Sequence, residues 1–264
     1  MSRLLEGKVA AITGGVTGIG RAIALEYLNH GAYIAVNHYP DAQSAEHAST
    51  LQQEASVRNA DDRLQVIPGD ITSPDFCTSF IAHTIDHFSQ QNRLDIFISN
   101  AGIFQWADFL TLEPDLLRRT VETNLNGAFF AVQAAARQMA SQSPAGGSTI
   151  GLSSISALVG GATQTHYTPT KAGVLSLMQS CACALGKHNI RCNALLPGTI
   201  RTQLNEESLQ DQKNLECFNN RIPLGRVGRP EDMAGPAVFL GSDLSGYVSG
   251  AQLLVDGGLF VNLQ

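Results

Sequence analysis

The sequence predicts an α/β fold, a doubly wound parallel sheet with helices on both faces, in a single domain. Short apolar runs alternate with stretches of helical periodicity along all 264 residues, as in sheets whose parallel strands are joined by helices. The run at 9–13 has no polar alternation, as expected of a strand buried on both faces. No linker, repeat or low-complexity segment divides the chain, so one domain is predicted over 1–264.

Each further element follows from its local pattern. The predicted helix at 18–30 carries a broad apolar stripe and stops at Gly31, and the last helix opens with Pro230 and two acidic residues, which suit a helix N-terminus. We expect strands at 33–37, 64–70, 94–100, 148–154, 191–198 and 251–258, and helices at 41–60, 74–88, 113–141, 165–187 and 230–242. The least regular segment, 199–229, is predicted to be a substrate-binding loop or lid because it is longer than an ordinary connection.

Composition excludes several classes of partner. The net charge of −6 disfavours nucleic acid and anionic membranes, which both need a basic patch, and no apolar run approaches the length of a membrane span. The first strand begins at Val9, which leaves no room for a targeting leader. The chain has five cysteines and no CxxC pair, as expected of reduced thiols. A cytoplasmic protein is therefore predicted.

A glycine-rich turn joins the first strand to the first helix. Gly14, Gly18 and Gly20 have the spacing G-x3-G-x-G, which permits a tight turn and lets the helix N-terminus face an anion. We predict that this loop, with Ile19, binds the phosphates of a dinucleotide.

The residues after the second strand leave the choice of cofactor open. A carboxylate here would bind a ribose 2′-hydroxyl and repel a 2′-phosphate, but the chain has His38, with neither an acidic residue nor an arginine or lysine beside it. We therefore expect both NAD and NADP to be used. Asp70, with the adjacent Ile71, would contact the adenine, and Asn100 and Gly102 would lie along a cofactor ribose.

A tyrosine and a lysine are placed for acid–base chemistry. Tyr167 and Lys171 are four residues apart near a helix start, and therefore on one face. A nearby cation favours the phenolate, so we expect Lys171 to lower the pKa of Tyr167 toward the working pH. Ser154, at the end of the fifth strand, would hold the substrate oxygen while its charge develops.

Taken together, the glycine loop, SNAG at 99–102, NLNG at 124–127, Ser154 and the Tyr167–Lys171 pair resemble the short-chain dehydrogenase/reductase family over essentially the whole chain. The resemblance implies a Rossmann-type fold, with Tyr167 as the acid–base, Ser154 as its hydroxyl partner and Lys171 also binding the nicotinamide ribose. It further implies that Asn124 supports a water chain, that Ile200 and Thr202 contact the nicotinamide, and that helices 113–141 and 165–187 build a homotetramer. Val16 and His38 depart from the family pattern.

Within that family, segments 153–173 and 251–264 are most similar to enzymes that oxidise C1 of an aldose to a 1,4-lactone. Neutral hydrogen-bonding side chains are expected around the sugar, since an unpaired buried hydroxyl costs about 1–3 kcal/mol. The predicted substrate-binding residues are Ser154, Ser156, Gln164, Tyr167, Thr199 and Asn205. Phe104 and Trp106 could cover the apolar face of the sugar.

Two other functions stay open. An acyl-carrier or ketone reductase of the same family would present a basic patch to an acidic carrier, whereas arginines and acidic residues alternate through 199–229. A dinucleotide-sensing protein without turnover could dispense with the acid–base pair that this chain retains. His83 and His87 lie one helical turn apart but lack the glutamate of a zinc motif, so no metal site is predicted.

Overall fold

The computed structural model describes residues 3–262, so the last two residues of the 251–264 segment lie outside it. A seven-stranded sheet has the order β3-β2-β1-β4-β5-β6-β7, and every neighbouring pair is parallel. This confirms the predicted doubly wound fold. The strands are β1 (Val9–Ile12), β2 (Tyr33–His38), β3 (Leu64–Pro68), β4 (Ile96–Ser99), β5 (Gly147–Leu152), β6 (Ile190–Pro197) and β7 (Gln252–Val255).

Helices follow the strands within residues 3–262. They are α1 (Gly18–Asn29), α2 (Ala42–Val57), α3 (Pro74–His87), α4 (Pro114–Val121), α5 (Ala128–Ser141), α6 (Thr168–Leu185), α7 (Glu206–Gln210), α8 (Gln212–Arg221) and α9 (Glu231–Gly241). Local chemistry fixes several starts: Asp41 accepts a hydrogen bond from the Ser44 amide before α2, and Ser73 accepts one from Phe76 before α3. None of these helices is both long and apolar enough to cross a membrane.

The core is divided by the sheet into two layers. On one face α1, α2 and α9 bury residues such as Ile23, Leu51 and Ala237. On the other face α3, α5 and α6 bury residues such as Phe80 and Met178. Both faces of the central strands are therefore covered, which explains their unbroken apolar sequences.

The sheet order reverses between β1 and β4. The chain leaves β1 toward one edge and returns at β4 toward the other, which opens a crevice beyond the carboxyl ends of the two strands. Ligands of doubly wound sheets bind in such a crevice.

The predicted helix at 113–141 is interrupted. A π-helical turn, Glu122–Gly127, separates α4 from α5, and π turns often accompany functional sites because they reposition side chains. The turn contains Asn124, which is buried. At Gly127, a Cβ would lie 2.9 Å from the Ile71 side chain, so the wider turn packs closely against the end of β3.

The segment 199–229 is more regular than its sequence pattern predicts. It contains α7 and α8, and Asp211 caps α8 by accepting a hydrogen bond from the Lys213 amide. A small core of its own holds it together. Leu215, Phe218 and Ile222, spaced i, i+3 and i+7, are part of that core, and this spacing was the available signal for a helix.

Candidate active site

A cavity of about 1110 Å³ opens at the carboxyl edge of the sheet. It brings together nearly all the predicted site residues: Gly14, Gly18, Ile19, His38, Asp70, Ile71, Asn100, Gly102, Ser154, Ser156, Gln164, Tyr167, Lys171, Thr199, Ile200, Thr202 and Asn205. Two predicted residues, Gly20 and Asn124, are not part of its lining. Both lie behind the wall, where they shape it.

The glycine loop owes its shape to close contacts. Gly14 has a φ of +63°, and a Cβ there would lie 2.9 Å from the Ala101 Cα. At Gly20, a Cβ would lie 2.4 Å from the Gly14 carbonyl oxygen. A side chain at either position would push the loop away from β4, so glycine is required by sterics.

Asn100 has a different contact from the one expected. Its amide donates to the carbonyl oxygens of Thr13 at 3.0 Å and Gly14 at 2.9 Å, which leaves less of it for a ribose. Thr13 returns the contact, because its hydroxyl oxygen accepts from the amides of Asn100 and Ala101. Sequence reasoning missed Thr13, which looked like an ordinary strand end. This brace joins β1 to β4 at the crevice.

The far end of the cavity is formed where β2 and β3 finish. Asn37 is buried and its amide donates to the Gly69 carbonyl oxygen at 2.9 Å, which ties the two strand ends together. His38 Nδ1 lies 2.7 Å from the carbonyl oxygen of Tyr39, and Asp70 accepts from the Thr72 amide. The close packing of the loop at Gly14 and the polar strand ends beside it fit a dinucleotide.

The predicted catalytic residues meet where β5 and α6 approach each other. Tyr167 directly precedes α6, with Pro169 in the first turn. Lys171 is buried, and its Nζ donates to the Leu152 carbonyl oxygen at 2.9 Å and lies 5.6 Å from the Tyr167 ring centroid. Ser154 Oγ accepts from the Ser156 amide at 3.0 Å. Since an amide only donates, the Ser154 hydroxyl keeps its own proton to give away.

The expected lowering of the Tyr167 pKa is wrong for the chain by itself. Burial raises the pKa of the phenol above its usual value, and the hydrogen bond from the Ser154 side chain only partly opposes this. Burial also lowers the pKa of Lys171, to about 8. The reason in both cases is desolvation, which penalises the charged form of each group. The spacing of Tyr167 and Lys171 along the helix predicts that they are close, but it does not reveal this desolvation penalty.

Asn124 fixes the segment that follows β4. Its Oδ1 accepts from the Ile103 amide at 2.7 Å, and its Nδ2 donates to the Ile103 carbonyl oxygen at 2.9 Å. The same Nδ2 lies 3.4 Å from Thr170 Oγ1, whose hydroxyl donates to the Tyr167 carbonyl oxygen at 2.7 Å. Asn124 therefore links the end of β4 to the start of α6. Its role in a water chain stays a prediction.

An aromatic wall stands beside the phenol. The Phe104 ring packs edge-on against Tyr167, with centroids 4.9 Å apart, and against Trp106, with centroids 4.6 Å apart. Both Phe104 and Trp106 line the cavity. Edge-to-face contacts of this kind hold rings in fixed orientations, so the wall restrains the Tyr167 side chain.

The predicted substrate-binding residues differ in whether their side chains already have hydrogen-bond partners within the protein. Ser156 donates to Gln164 Oε1 at 3.0 Å, so these two already form a polar pair in the cavity. Asn205 is engaged within its own loop, accepting from the Thr202 amide and donating to the Ile200 carbonyl oxygen, each at 2.9 Å. Its direct contact with a substrate stays a prediction.

Several lining residues were missed by sequence reasoning. Gln203 Nε2 donates to Thr17 Oγ1 at 2.6 Å, which connects the start of 199–229 to the glycine loop. From the opposite side, Phe218 on α8 and Phe260 after β7 reach the same cavity. No short motif marks these positions, because they meet only when distant segments fold together.

Comparison with known proteins identifies the family. A family model described as enoyl-(acyl carrier protein) reductase matches residues 14–260, and full-length relatives share half or more of the sequence. The chain belongs to the short-chain dehydrogenase/reductase family. The resemblance seen in the five motifs is therefore confirmed.

Two relatives within this family carry the same activity in their names. The chain is 59% identical over 264 residues, all of both proteins, to L-rhamnose-1-dehydrogenase of Scheffersomyces stipitis. It is 51% identical over 262 residues, 99% of this chain and 100% of the relative, to L-rhamnose 1-dehydrogenase (NAD(P)(+)) of Sphingomonas sp. strain SKA58. The likeness of 153–173 and 251–264 had pointed to these L-rhamnose enzymes.

A solved short-chain dehydrogenase shows the same fold. The gluconate 5-dehydrogenase of Burkholderia cenocepacia J2315, in complex with NADP and tartrate, superimposes with a TM-score of 0.87. The two sequences are 30% identical, and the match covers 98% of this chain and 97% of that one.

Proposed function

We propose that the protein oxidises the C1 hydroxyl of L-rhamnose to the 1,4-lactone, with NAD+ or NADP+ as hydride acceptor. The observation that carries this proposal is the neutral polar pair Ser156–Gln164 in the same cavity as Tyr167. Hydroxyl groups of a sugar need such partners, and an apolar acyl chain does not. The names of the two relatives support the same substrate.

Tyr167 and Ser154 divide the work at the reacting oxygen. The Tyr167 phenolate takes the proton of the C1 hydroxyl, while the Ser154 hydroxyl donates a hydrogen bond to the same oxygen as the new C=O bond forms. Ser154 is held for this by the Ser156 amide. A bound NAD(P)+ would supply the hydride acceptor for C1, and the positive charge of its ring would favour the phenolate.

Lys171 supplies a cation beside the phenol at neutral pH, below its pKa of about 8. Its Nζ is anchored to the Leu152 carbonyl oxygen, so the ammonium stays near the phenol instead of turning into solvent. We assign it a second role in binding the nicotinamide ribose, since Gly102 is so close that a Cβ there would lie 3.6 Å from Nζ. The glycine loop, His38, Asp70 and Asn100 would hold the rest of the cofactor, with Ile200 and Thr202 beside the nicotinamide.

We further propose that 199–229 forms a lid. Its contact with the glycine loop through Gln203 and its share of the cavity wall support this.

A homotetramer built through the region of α4, α5 and α6 is supported by the half-exposed apolar side chains of Leu117 and Phe129, and light scattering on the purified protein tests it. A reducing, cytoplasmic location is supported by five unpaired cysteines, and fractionation of cells tests it.

The test of the proposed function is a panel of aldoses with NAD+ and with NADP+. We expect reduced cofactor to form with L-rhamnose, and the lactone to be the product by NMR. Absence of turnover with every aldose, together with reduction of β-ketoacyl thioesters, would favour the reductase alternative. Cofactor binding without any turnover would favour a sensor.

A further inference from the structure

We propose that His38 selects between NAD+ and NADP+ through its protonation state, so that the cofactor used changes with pH. The inference rests on the dinucleotide site of the proposed function, but not on the identity of the sugar. His38 ends β2 and lines the cavity, at the point where the ribose 2′ position of a dinucleotide is read in doubly wound sheets.

The backbone fixes the tautomer of His38. Its Nδ1 lies 2.7 Å from the carbonyl oxygen of Tyr39. A carbonyl oxygen can only accept, so Nδ1 must carry a hydrogen in both the neutral and the charged form. All change on protonation therefore occurs at Nε2.

Nε2 is the ring nitrogen of His38 that we assign to ligand binding. No hydrogen bond to it forms among residues 3–262, and it is not among the enclosed polar atoms that lack a partner, although the His38 side chain is only 6% exposed. It therefore keeps some accessible surface and an open hydrogen-bonding position, and the residue that carries it lines the cavity. A ligand at the end of β2 meets this single nitrogen.

The two states of Nε2 suit different ligands. Neutral Nε2 has a lone pair, which accepts a hydrogen bond from a ribose 2′-hydroxyl and repels phosphate oxygens. Protonated Nε2 carries N–H and a positive charge, which bind a 2′-phosphate. Histidine is the side chain whose charge ordinarily changes between about pH 5 and pH 8. Uptake of one proton at Nε2 would therefore change the preferred ligand from a ribose 2′-hydroxyl to a 2′-phosphate.

The charged neighbours do not duplicate this function. Asp41, which caps α2, is close enough for His38 to contribute to its lowered pKa, though the hydrogen bond from the Ser44 backbone contributes more. From the end of β3, Asp70 supplies a second carboxylate. From α1, Arg21 is already bound to Glu54 at 2.9 Å and to backbone carbonyls. Arg119 on α4 also lines the cavity, so the experiment includes a variant that tests whether Arg119 binds the 2′-phosphate.

The experiment measures binding of two fragments that lack nicotinamide, adenosine 2′,5′-bisphosphate and adenosine 5′-monophosphate, by calorimetry from about pH 5.5 to pH 8.5. The ratio of their affinities isolates the 2′-phosphate. The phosphate itself loses negative charge near pH 6, which weakens its binding at low pH. His38→Gln reports that background, since glutamine keeps a hydrogen-bonding amide without a titrating charge.

We expect the bisphosphate preference of the unmodified protein, relative to His38→Gln, to rise about tenfold from the alkaline to the acid end. His38→Arg should prefer the bisphosphate at every pH, and Arg119→Gln should keep the slope of the unmodified protein. Equal slopes in the unmodified protein and His38→Gln would overturn the proposal, as would a slope abolished by Arg119→Gln alone. Thermal melting shows that each variant is folded, and failure of sugar oxidation leaves the fragment results unaffected.

Discussion

The Lys171 Nζ lies 5.6 Å from the centroid of the Tyr167 ring, with Lys171 buried and Tyr167 half-buried at the cavity wall. Each group is thereby pushed toward its neutral form, the phenol upward in pKa and the ammonium downward to about 8. Desolvation therefore disfavours the charged form of each group in the chain alone. A bound positive ring would relieve the phenol, which ties its basicity to cofactor binding.

Replacing Tyr167 by Phe should lower kcat by about 10²–10⁴-fold, the usual contribution of a general base. Cofactor affinity should change little, because the ring that contacts Phe104 remains.

In the unmodified enzyme, burial holds the pKa of Tyr167 high, so the phenolate fraction and kcat/KM should rise with pH across the neutral range. Steady-state rates over pH measure both. Tyr247→Phe, at a fully exposed tyrosine, is the control, and unchanged turnover in Tyr167→Phe would contradict the mechanism.

Replacing Lys171 by Met should abolish turnover yet stabilise the fold. Burial lowers the pKa of Lys171 from 10.5 to about 8, so below about pH 8 the folded chain holds an ammonium that the unfolded chain hydrates better. Methionine removes that penalty, and the free energy of unfolding near pH 7 should increase by about 1–3 kcal/mol.

The stability difference should also depend on pH. Between about pH 8 and pH 10.5 the unfolded chain binds more protons than the folded one, so the unmodified protein gains stability as pH rises and the advantage of Lys171→Met shrinks. Denaturant unfolding at several pH values measures it, with the exposed Lys187→Met as control. A less stable Lys171→Met at neutral pH would argue against desolvation.

His166 should limit stability in acid. It is buried beside Tyr167, neither ring nitrogen makes a hydrogen bond of good geometry to any residue between 3 and 262, and burial lowers its pKa. The unfolded chain therefore binds the proton first as pH falls below about 6.5, and stability is lost in that range.

His166→Met should lose less stability than the unmodified protein between about pH 7 and pH 5, by up to about 1 kcal/mol. Melting temperatures across this range provide the measurement. His83→Met, at an exposed position, should follow the unmodified protein. Parallel curves for His166→Met and the unmodified protein would show that His166 is not the titrating group.

The contact between Gln203 and Thr17 should slow cofactor release. Their 2.6 Å hydrogen bond joins the start of 199–229 to the glycine loop, and a net contribution of about 1 kcal/mol corresponds to about fivefold in affinity. Gln203→Ala and Thr17→Val should each weaken NAD(P)+ binding by about that factor, mainly through a faster off-rate in stopped-flow fluorescence. The double variant should be no weaker than either single one, and additive losses would mean that the two residues act separately.

Local patterns were sufficient for the sheet and the motifs. The apolar run of β1, the glycines after it and the spacing of Tyr167 and Lys171 are short-range features, and each recurs in the structure where it was expected. Helical periodicity did not predict the interruption at 113–141. The π turn that contains Asn124 packs at Gly127 against Ile71, a residue far away along the chain. At 199–229, α8 was likewise overlooked among polar residues.

The sequence by itself determined the doubly wound fold and the family, and it predicts the acid–base residues, since these depend on residue type and spacing along the chain. Only the tertiary structure decided that the Tyr167 pKa rises, that Asn100 and Asn124 brace backbone segments, and that Nδ1 of His38 is already paired with a backbone carbonyl. Desolvation and hydrogen-bond pairing depend on which distant segments exclude water from a side chain, and that is set by folding in three dimensions.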